Sequence, residues 1–208
     1  MSLDGFIAGP NGEYDWIVMD PSIDFTALYK EFDTAVMGRK TYAVTAAQGG
    51  HVEFPGLDFV VFSRTLAPVS ERGLRIVNDD ARTFVAALKK RPGRDIWLFG
   101  GGSLFQSLLD ARLVDSVEVA VIPVLLGAGI PLLPPGSRTT LRLVDQKVLP
   151  ASGIVVLSYA VPGSAGPPAR IRYIKARTAA KKKKEKKAKK ERRASSPKRR
   201  PTRKGRRP

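Results

Sequence analysis

Three clusters of residues in this 208-residue chain have the types and spacing needed to hold phosphate. Gly100, Gly101, Gly102 and Ser103 follow the apolar run Ile96-Trp97-Leu98-Phe99 and precede an amphipathic stretch with Leu104, Phe105, Leu108 and Leu109 on one face. A buried strand that ends in glycines at a helix start presents free backbone N–H groups and the positive end of the helix dipole. The missing side chains let a pyrophosphate approach the backbone. The GxGxxG fingerprint is incomplete, because Phe105 stands where its third glycine belongs. Gly38-Arg39-Lys40-Thr41 repeats the arrangement after the apolar run Thr34–Met37, adding two cations and a hydroxyl. Ser63-Arg64 does so after Asp58–Phe62. Each cluster alone has a plain alternative, a tight turn for the glycines and a solvated surface charge for the cations. Together they point to a ligand with several phosphates, such as a dinucleotide with an extra 2′-phosphate. The forked guanidinium of arginine suits that group.

Competing chemistries lack their residues. There is no cysteine, which excludes disulfides, thiolate metal sites and cysteine nucleophiles. His51 is the single histidine, so neither a histidine metal cluster nor a catalytic triad can be assembled, and we assign it no catalytic role. The GxxxxGK[ST] loop of P-loop ATPases is absent, as is the His/Cys zinc signature of nucleotide deaminases. Hydride transfer fits what remains. The cofactor carries that chemistry, and the protein supplies position and electrostatics.

The elements that must position these clusters follow from hydrophobic periodicity. Ser2–Gly9 reads as the end of a strand feeding a turn at Pro10-Asn11-Gly12, with Asp15 and Trp16 in a loop suited to lining a pocket. A helix is expected from about Asp24 to Glu31, capped by Ser22 or Asp24. Strands are expected at Thr34–Met37, Asp58–Phe62 and Leu74–Val77. A helix capped by Asp79 or Asp80 follows, stopped by Pro92-Gly93. After the glycine triplet come strands at Asp115–Val121 and Pro123–Leu126. Thr140–Leu149 and Ile154–Ala160 then read as a terminal antiparallel hairpin. Strands alternating with helices, then strands alone, define an α/β fold with a mostly parallel sheet and an antiparallel edge. In such an open sheet, ligands bind beyond the carboxyl ends of the strands.

The charge is divided sharply. From Ser164 onward lie 21 of the 36 Lys and Arg but only 2 of the 19 Asp and Glu, so that part carries +19 and the remainder −2. The expected organisation is a body over residues 1–161 and a disordered Lys/Arg-rich tail over 162–208, too poor in apolar residues to offset its ordering entropy. A polycation of this kind suits non-specific, salt-dependent nucleic-acid binding or an anionic membrane surface, or else is a solvated extension without a partner. No apolar run approaches the roughly 18 residues of a membrane span, and no signal peptide is evident. The expected location is cytoplasmic.

Taken in order, SLDGFIAGPNGEYDW, VMGRKTY, FSR, LFGGGSLFQSLL, LVDSVEV and IPVLLGAGIPLL resemble the dihydrofolate reductase-like superfamily. The closest branch is the reductase domain of the riboflavin-biosynthesis deaminase-reductase and its stand-alone relatives. The resemblance covers roughly residues 1–161. It implies a three-layer mixed sheet flanked by helices, NADPH as cofactor, a small heterocyclic substrate and a homodimer. It further implies that Arg39 and Thr41 meet the cofactor phosphates and that Ser63 and Arg64 meet the adenosine 2′-phosphate. Gly101, Gly102 and Ser103 would hold the pyrophosphate. Ser2, Asp4 and Gly5 would border the nicotinamide and the substrate, with Asp4 as the candidate catalytic group. Ile122, Pro123 and Gly127 would lie near the pocket, and Trp16 would stack on the heterocycle or belong to the core. The implied reaction is that of a 5-amino-6-(5-phosphoribosylamino)uracil reductase. The alternative is a catalytically weak nucleotide-binding domain tethered to nucleic acid by its tail. One departure stands out. Relatives carry a hydrophobic strand ahead of SLDG, whereas Met1 sits directly against it. Lacking that strand, central backbone groups would go unpaired, so the expectation is a start placed too late or a damaged fold.

Overall fold

A computed structural model describes residues 1–49, 54, 56–164, 166, 171, 173 and 174. His51, most of the 162–208 tail and part of the 46–57 loop lie outside the described residues. The elements in chain order are β1 (Phe6–Ala8), α1 (Phe25–Tyr29), β2 (Phe32–Gly38), α2 (Arg39–Ala47), β3 (Asp58–Phe62), β4 (Val69–Glu71) and β5 (Leu74–Val77). Next come α3 (Ala81–Leu88), β6 (Asp95–Gly100), α4 (Gly102–Asp110), β7 (Ser116–Val121), β8 (Ile130–Pro131), β9 (Arg142–Leu149) and β10 (Ile154–Ala160).

Five strands form one sheet in the order β4-β5-β3-β2-β6. β5, β3, β2 and β6 are parallel, and β4 adds an antiparallel edge. The central strands β2 and β3 are apolar on both faces along their buried stretches because both faces are covered. Val36 and Val60 point to one side, into a cluster with Val85 of α3 and Leu108 of α4. Their neighbours Met37, Phe59 and Val61 point to the other, with Tyr42 of α2, Trp97 and Phe99. This is the period-two alternation of a strand buried twice over.

The expected terminal hairpin is present, as β9 paired antiparallel with β10. It does not extend the parallel sheet. β10 also pairs with β7, so that β7-β10-β9 is a separate three-stranded antiparallel sheet. The strand expected at Pro123–Leu126 does not form. Pro123 has no N–H to offer a ladder, and the Val124 N–H turns back to the Ile122 carbonyl at 2.8 Å. β8 forms instead, antiparallel to β1. β4 escaped a reading by alternation because it is three residues long; its one local signal is the Arg72-Gly73 turn into β5, with Gly73 at φ +80°.

The body also runs past residue 161. Ile171 and Tyr173 are buried with Ile122, Leu149, Ile154 and Val156. The Asp24 N–H donates to the Tyr173 carbonyl at 2.7 Å, and Ile174 bridges to Ile23. The Tyr173 hydroxyl donates to the Glu118 carboxylate. Composition pointed to a break at Pro162 because the few apolar residues that follow are scattered among glycine, proline and arginine. Among the described residues, no helix is long and apolar enough to cross a membrane.

Candidate functional site

The three expected anion-holding junctions meet at one edge of the parallel sheet. Gly38 lies opposite Phe62 in the β2–β3 pair, and Met37 lies opposite Gly100 in the β2–β6 pair. Neighbouring strands are roughly 4.8 Å apart, so the Ser63-Arg64 turn, the start of α2 and the glycine triplet span roughly 10 Å. That is within reach of a single dinucleotide.

Capping separates the two helices at this edge from the other two. Asp24 accepts from the Ala27 N–H at the start of α1, and Asp80 accepts from the Thr83 N–H at the start of α3. α2 and α4 begin at Gly38 and Gly101, with no side-chain cap and no acid in the first turn. Their first-turn N–H groups are therefore left for a ligand or water. Arg39, Lys40 and Arg64 are exposed. The ion pairs among the described residues join Arg82 to Asp80 and Lys89 to Asp115, and leave those three cations out. This donor set fits a polyphosphate ligand.

The glycine triplet is packed from both sides. The Thr41 hydroxyl oxygen lies 3.4 Å from where a Cβ on Gly101 would stand. A Cβ on Gly102 would approach the Leu132 carbonyl oxygen to 2.7 Å. The Gly100–Gly101 peptide bond is cis. Ser103 is exposed in the first turn of α4. Ser63 is buried, and its Oγ accepts from the N–H groups of Thr65 (3.2 Å) and Leu66 (2.9 Å). Its hydroxyl therefore shapes the turn that presents Arg64.

A second group gathers around the turn that precedes β1. The Asp4 carboxylate accepts from the N–H groups of Leu126 (3.1 Å) and Gly127 (2.8 Å). Hydrogen bonding, first from Ser2 and then from Gly127, holds Asp4 below the usual carboxylate range. It stays ionised near neutrality and is poorly suited to donate a proton. Ser2 is fully buried, with its Oγ accepting from the Phe6 N–H at 2.9 Å, so it supports the turn carrying Asp4 and Gly5. The Leu132 N–H donates to the Gly5 carbonyl, which ties this turn to the segment that touches Gly102. Ile122 is buried in the core cluster, and Trp16 is half-buried against that same cluster, its indole N–H donating to the Glu13 carbonyl at 3.2 Å.

Sequence reasoning missed the link between the loop after β1 and the end of α2. Gln48 donates to the Tyr14 hydroxyl at 2.6 Å, joining the loop after β1 to the end of α2. Tyr14, Ile17, Val18, Met19 and Val44 are exposed apolar side chains in these two segments. The aromatic and aliphatic residues at 14–19 were its only signal.

The chain matches the RibD C-terminal domain family over residues 1–156. It belongs to that family. YyaP of Bacillus subtilis (strain 168), an uncharacterized protein, is 36% identical over 171 residues, covering 76% of this chain and 90% of YyaP. A putative riboflavin biosynthesis protein from Shewanella sp. PV-4 superposes with a TM-score of 0.67 at 25% identity, covering 82% of this chain and 96% of that one. The diaminohydroxyphosphoribosylaminopyrimidine deaminase/5-amino-6-(5-phosphoribosylamino)uracil reductase of Thermotoga maritima superposes with a TM-score of 0.56 at 14% identity. There the match covers 77% of this chain and 54% of the other. The fold is thus the dihydrofolate reductase-like one that the motif order implied, within a reductase-type family.

Proposed function

We propose that this RibD-type domain is an NADPH-dependent reductase that delivers hydride to a small heterocycle, with a substrate like 5-amino-6-(5-phosphoribosylamino)uracil, acting in the cytoplasm. The observation that carries this reading is the alignment of two helix starts without a side-chain cap and three cations that have no ion pair among the described residues, along roughly 10 Å of one sheet edge. NADPH supplies the hydride when bound. Arg64 reaches the 2′-phosphate from its buried-serine turn, and Arg39 and Thr41 take the phosphates beside it. The N–H groups at Gly102 and Ser103 take the pyrophosphate. Asp4 stands outside the proton transfer and acts as the clamp that closes Leu126–Gly127 over the substrate end. The exposed apolar loop at residues 14–19 supplies a dry cover for a flat ring. The polycationic tail is a separate, charge-driven binder of nucleic acid.

The test is to measure NADPH oxidation against a panel of pyrimidine, pterin and folate acceptors, alongside equilibrium binding of NADPH and NADH. Turnover of a phosphoribosylaminopyrimidine with tighter binding of NADPH is the expected result. Equal affinity for the two cofactors would remove Arg64 from the 2′-phosphate.

A further inference from the structure

The connection between β1 and α1, residues 9–24, carries the exposed apolar side chains Tyr14, Ile17, Val18 and Met19. A connection of that length holds one arrangement only where the body ties it down. Its front is tied by Gln48, which donates to the Tyr14 hydroxyl at 2.6 Å. Further along, the buried Asp20 carboxylate accepts from the Ser152 N–H (3.1 Å) and hydroxyl (2.6 Å) in the β9–β10 turn.

The rear of the connection rests on a strap made by Ile171, Tyr173 and Ile174. The Asp24 N–H donates to the Tyr173 carbonyl at 2.7 Å, and Ile23 bridges Ile174 in the antiparallel sense. Asp24 is also the side-chain cap of α1, so one residue fixes loop and helix together. The strap itself is pinned to two strands. The Ile171 N–H donates to the Asp145 carboxylate of β9 at 3.3 Å, and the Tyr173 hydroxyl donates to Glu118 of β7. Apolar packing then joins it to the site. Ile171 and Tyr173 are buried in one cluster with Ile122, and Trp16 and Val124 pack against that cluster. The Val124 carbonyl in turn accepts the Leu3 N–H beside the Asp4 turn. The strap lies past residue 156, where the family match ends.

We propose that Ile171, Tyr173 and Ile174 hold the substrate-covering loop in its working arrangement, with Tyr173 as a positioning residue. The strap touches neither reactant and acts through Ile23, Asp24 and Trp16. This role rests on the reductase reading, which supplies the substrate. A loop that is in place for only a fraction of the time weakens apparent substrate affinity by that fraction, while the substrate once bound meets the same geometry. The strap therefore acts on KM and leaves kcat alone. The cofactor groups sit at the ends of β2, β3 and β6, in the other sheet, so NADPH affinity is expected to hold.

The test sets the full chain beside four variants. Tyr173→Phe keeps the buried ring and loses the hydroxyl, and Glu118→Gln keeps an acceptor for that hydroxyl. Two truncations end at residue 174 and at residue 170. The readouts are steady-state rates with NADPH and the phosphoribosylaminopyrimidine, NADPH binding, and amide hydrogen exchange at Ile17, Ile23 and Val61. Truncation at 170 is expected to raise KM roughly tenfold and Tyr173→Phe roughly threefold, with kcat held within about twofold. Both are expected to speed exchange at Ile17 and Ile23 roughly tenfold and to spare Val61 in the parallel sheet. Glu118→Gln and the truncation at 174 are expected to match the full chain. Unchanged KM in both Tyr173→Phe and the 170 truncation would overturn the proposal. A fall in kcat with KM held would do the same, as would faster exchange spread equally to Val61, the mark of a purely structural role. If the 170 truncation does not fold, Tyr173→Phe decides. If the full chain turns over none of the acceptors, the reductase reading fails by itself. Faster exchange confined to Ile17 and Ile23 then still upholds the strap's hold on the loop, and unchanged exchange overturns it.

Discussion

The carboxylate of Asp4 accepts the N–H of Gly127 at 2.8 Å, linking residues 123 positions apart. The same carboxylate takes the Leu126 N–H, and hydrogen bonds, from the Ser2 side chain first and then from Gly127, lower its pKa. Asp4→Asn retains an acceptor while losing the charge. Steady-state rates against pH are expected to keep the wild-type acid limb, with KM raised a few-fold as the 124–127 loop loosens. Loss of that limb in the variant would return Asp4 to the proton transfer.

Arg64 is exposed, carries no ion pair among the described residues and follows a turn built on buried Ser63. Arg64→Ala is expected to raise the Kd for NADPH roughly tenfold, about 1.4 kcal/mol, and to leave the Kd for NADH where it was. Titration by cofactor fluorescence distinguishes this from a general loss of binding, in which both would weaken together.

Gly102 has no room for a side chain, since a Cβ there would meet a main-chain carbonyl at 2.7 Å. Gly102→Ala is expected to destabilise the fold by about 1–3 kcal/mol, the usual range for overpacking, and to lower Tm in calorimetry. Wild-type stability would mean that the Leu132 segment yields freely.

Asp20 is buried and accepts from the N–H and hydroxyl of both Ser22 and Ser152. These bonds, with Ser152's hydroxyl foremost, lower its pKa to about 2. A carboxylate lowered in the folded state stabilises the fold above its unfolded pKa. That contribution is lost as pH falls from roughly 4 toward 2. Asp20→Asn is expected to unfold at lower denaturant concentration at pH 7. The gap from wild type should narrow through that acid window in chemical denaturation at stepped pH. A gap that stays constant with pH would deny the carboxylate its electrostatic role.

Ile171 and Tyr173 belong to the core, so a clean truncation falls after Ile174. Removing residues 175–208 is expected to leave Tm and NADPH binding unchanged and to abolish retention on DNA at low salt. Removing 164–208 is expected to lower Tm as well, because two buried side chains leave the core, at about 1.5–3 kcal/mol each. Identical Tm for the two truncations would put the boundary back near residue 161.

Much of this molecule was legible locally. Asp58–Phe62 and Leu74–Val77 form strands with the bounds their apolar runs imply, and Asp24 and Asp80, each one of two candidates, are the caps of α1 and α3. The strand–glycine–helix junctions at Gly38-Arg39 and at the glycine triplet were legible because each is a feature of a few consecutive residues. Hydrophobic period, turn chemistry and helix starts are short-range, so the chain's own order carries them. What long-range packing settled is of another kind. The strand order β5-β3-β2-β6 brings three separate junctions onto one edge. Ser2 goes into the interior, Asp4 is bound by amides more than a hundred residues away, and Tyr173 is drawn back across β7. Each of these depends on which distant backbone groups and apolar faces are covered together. No local pattern encodes that, because burial and hydrogen-bond pairing are satisfied only by the assembled body.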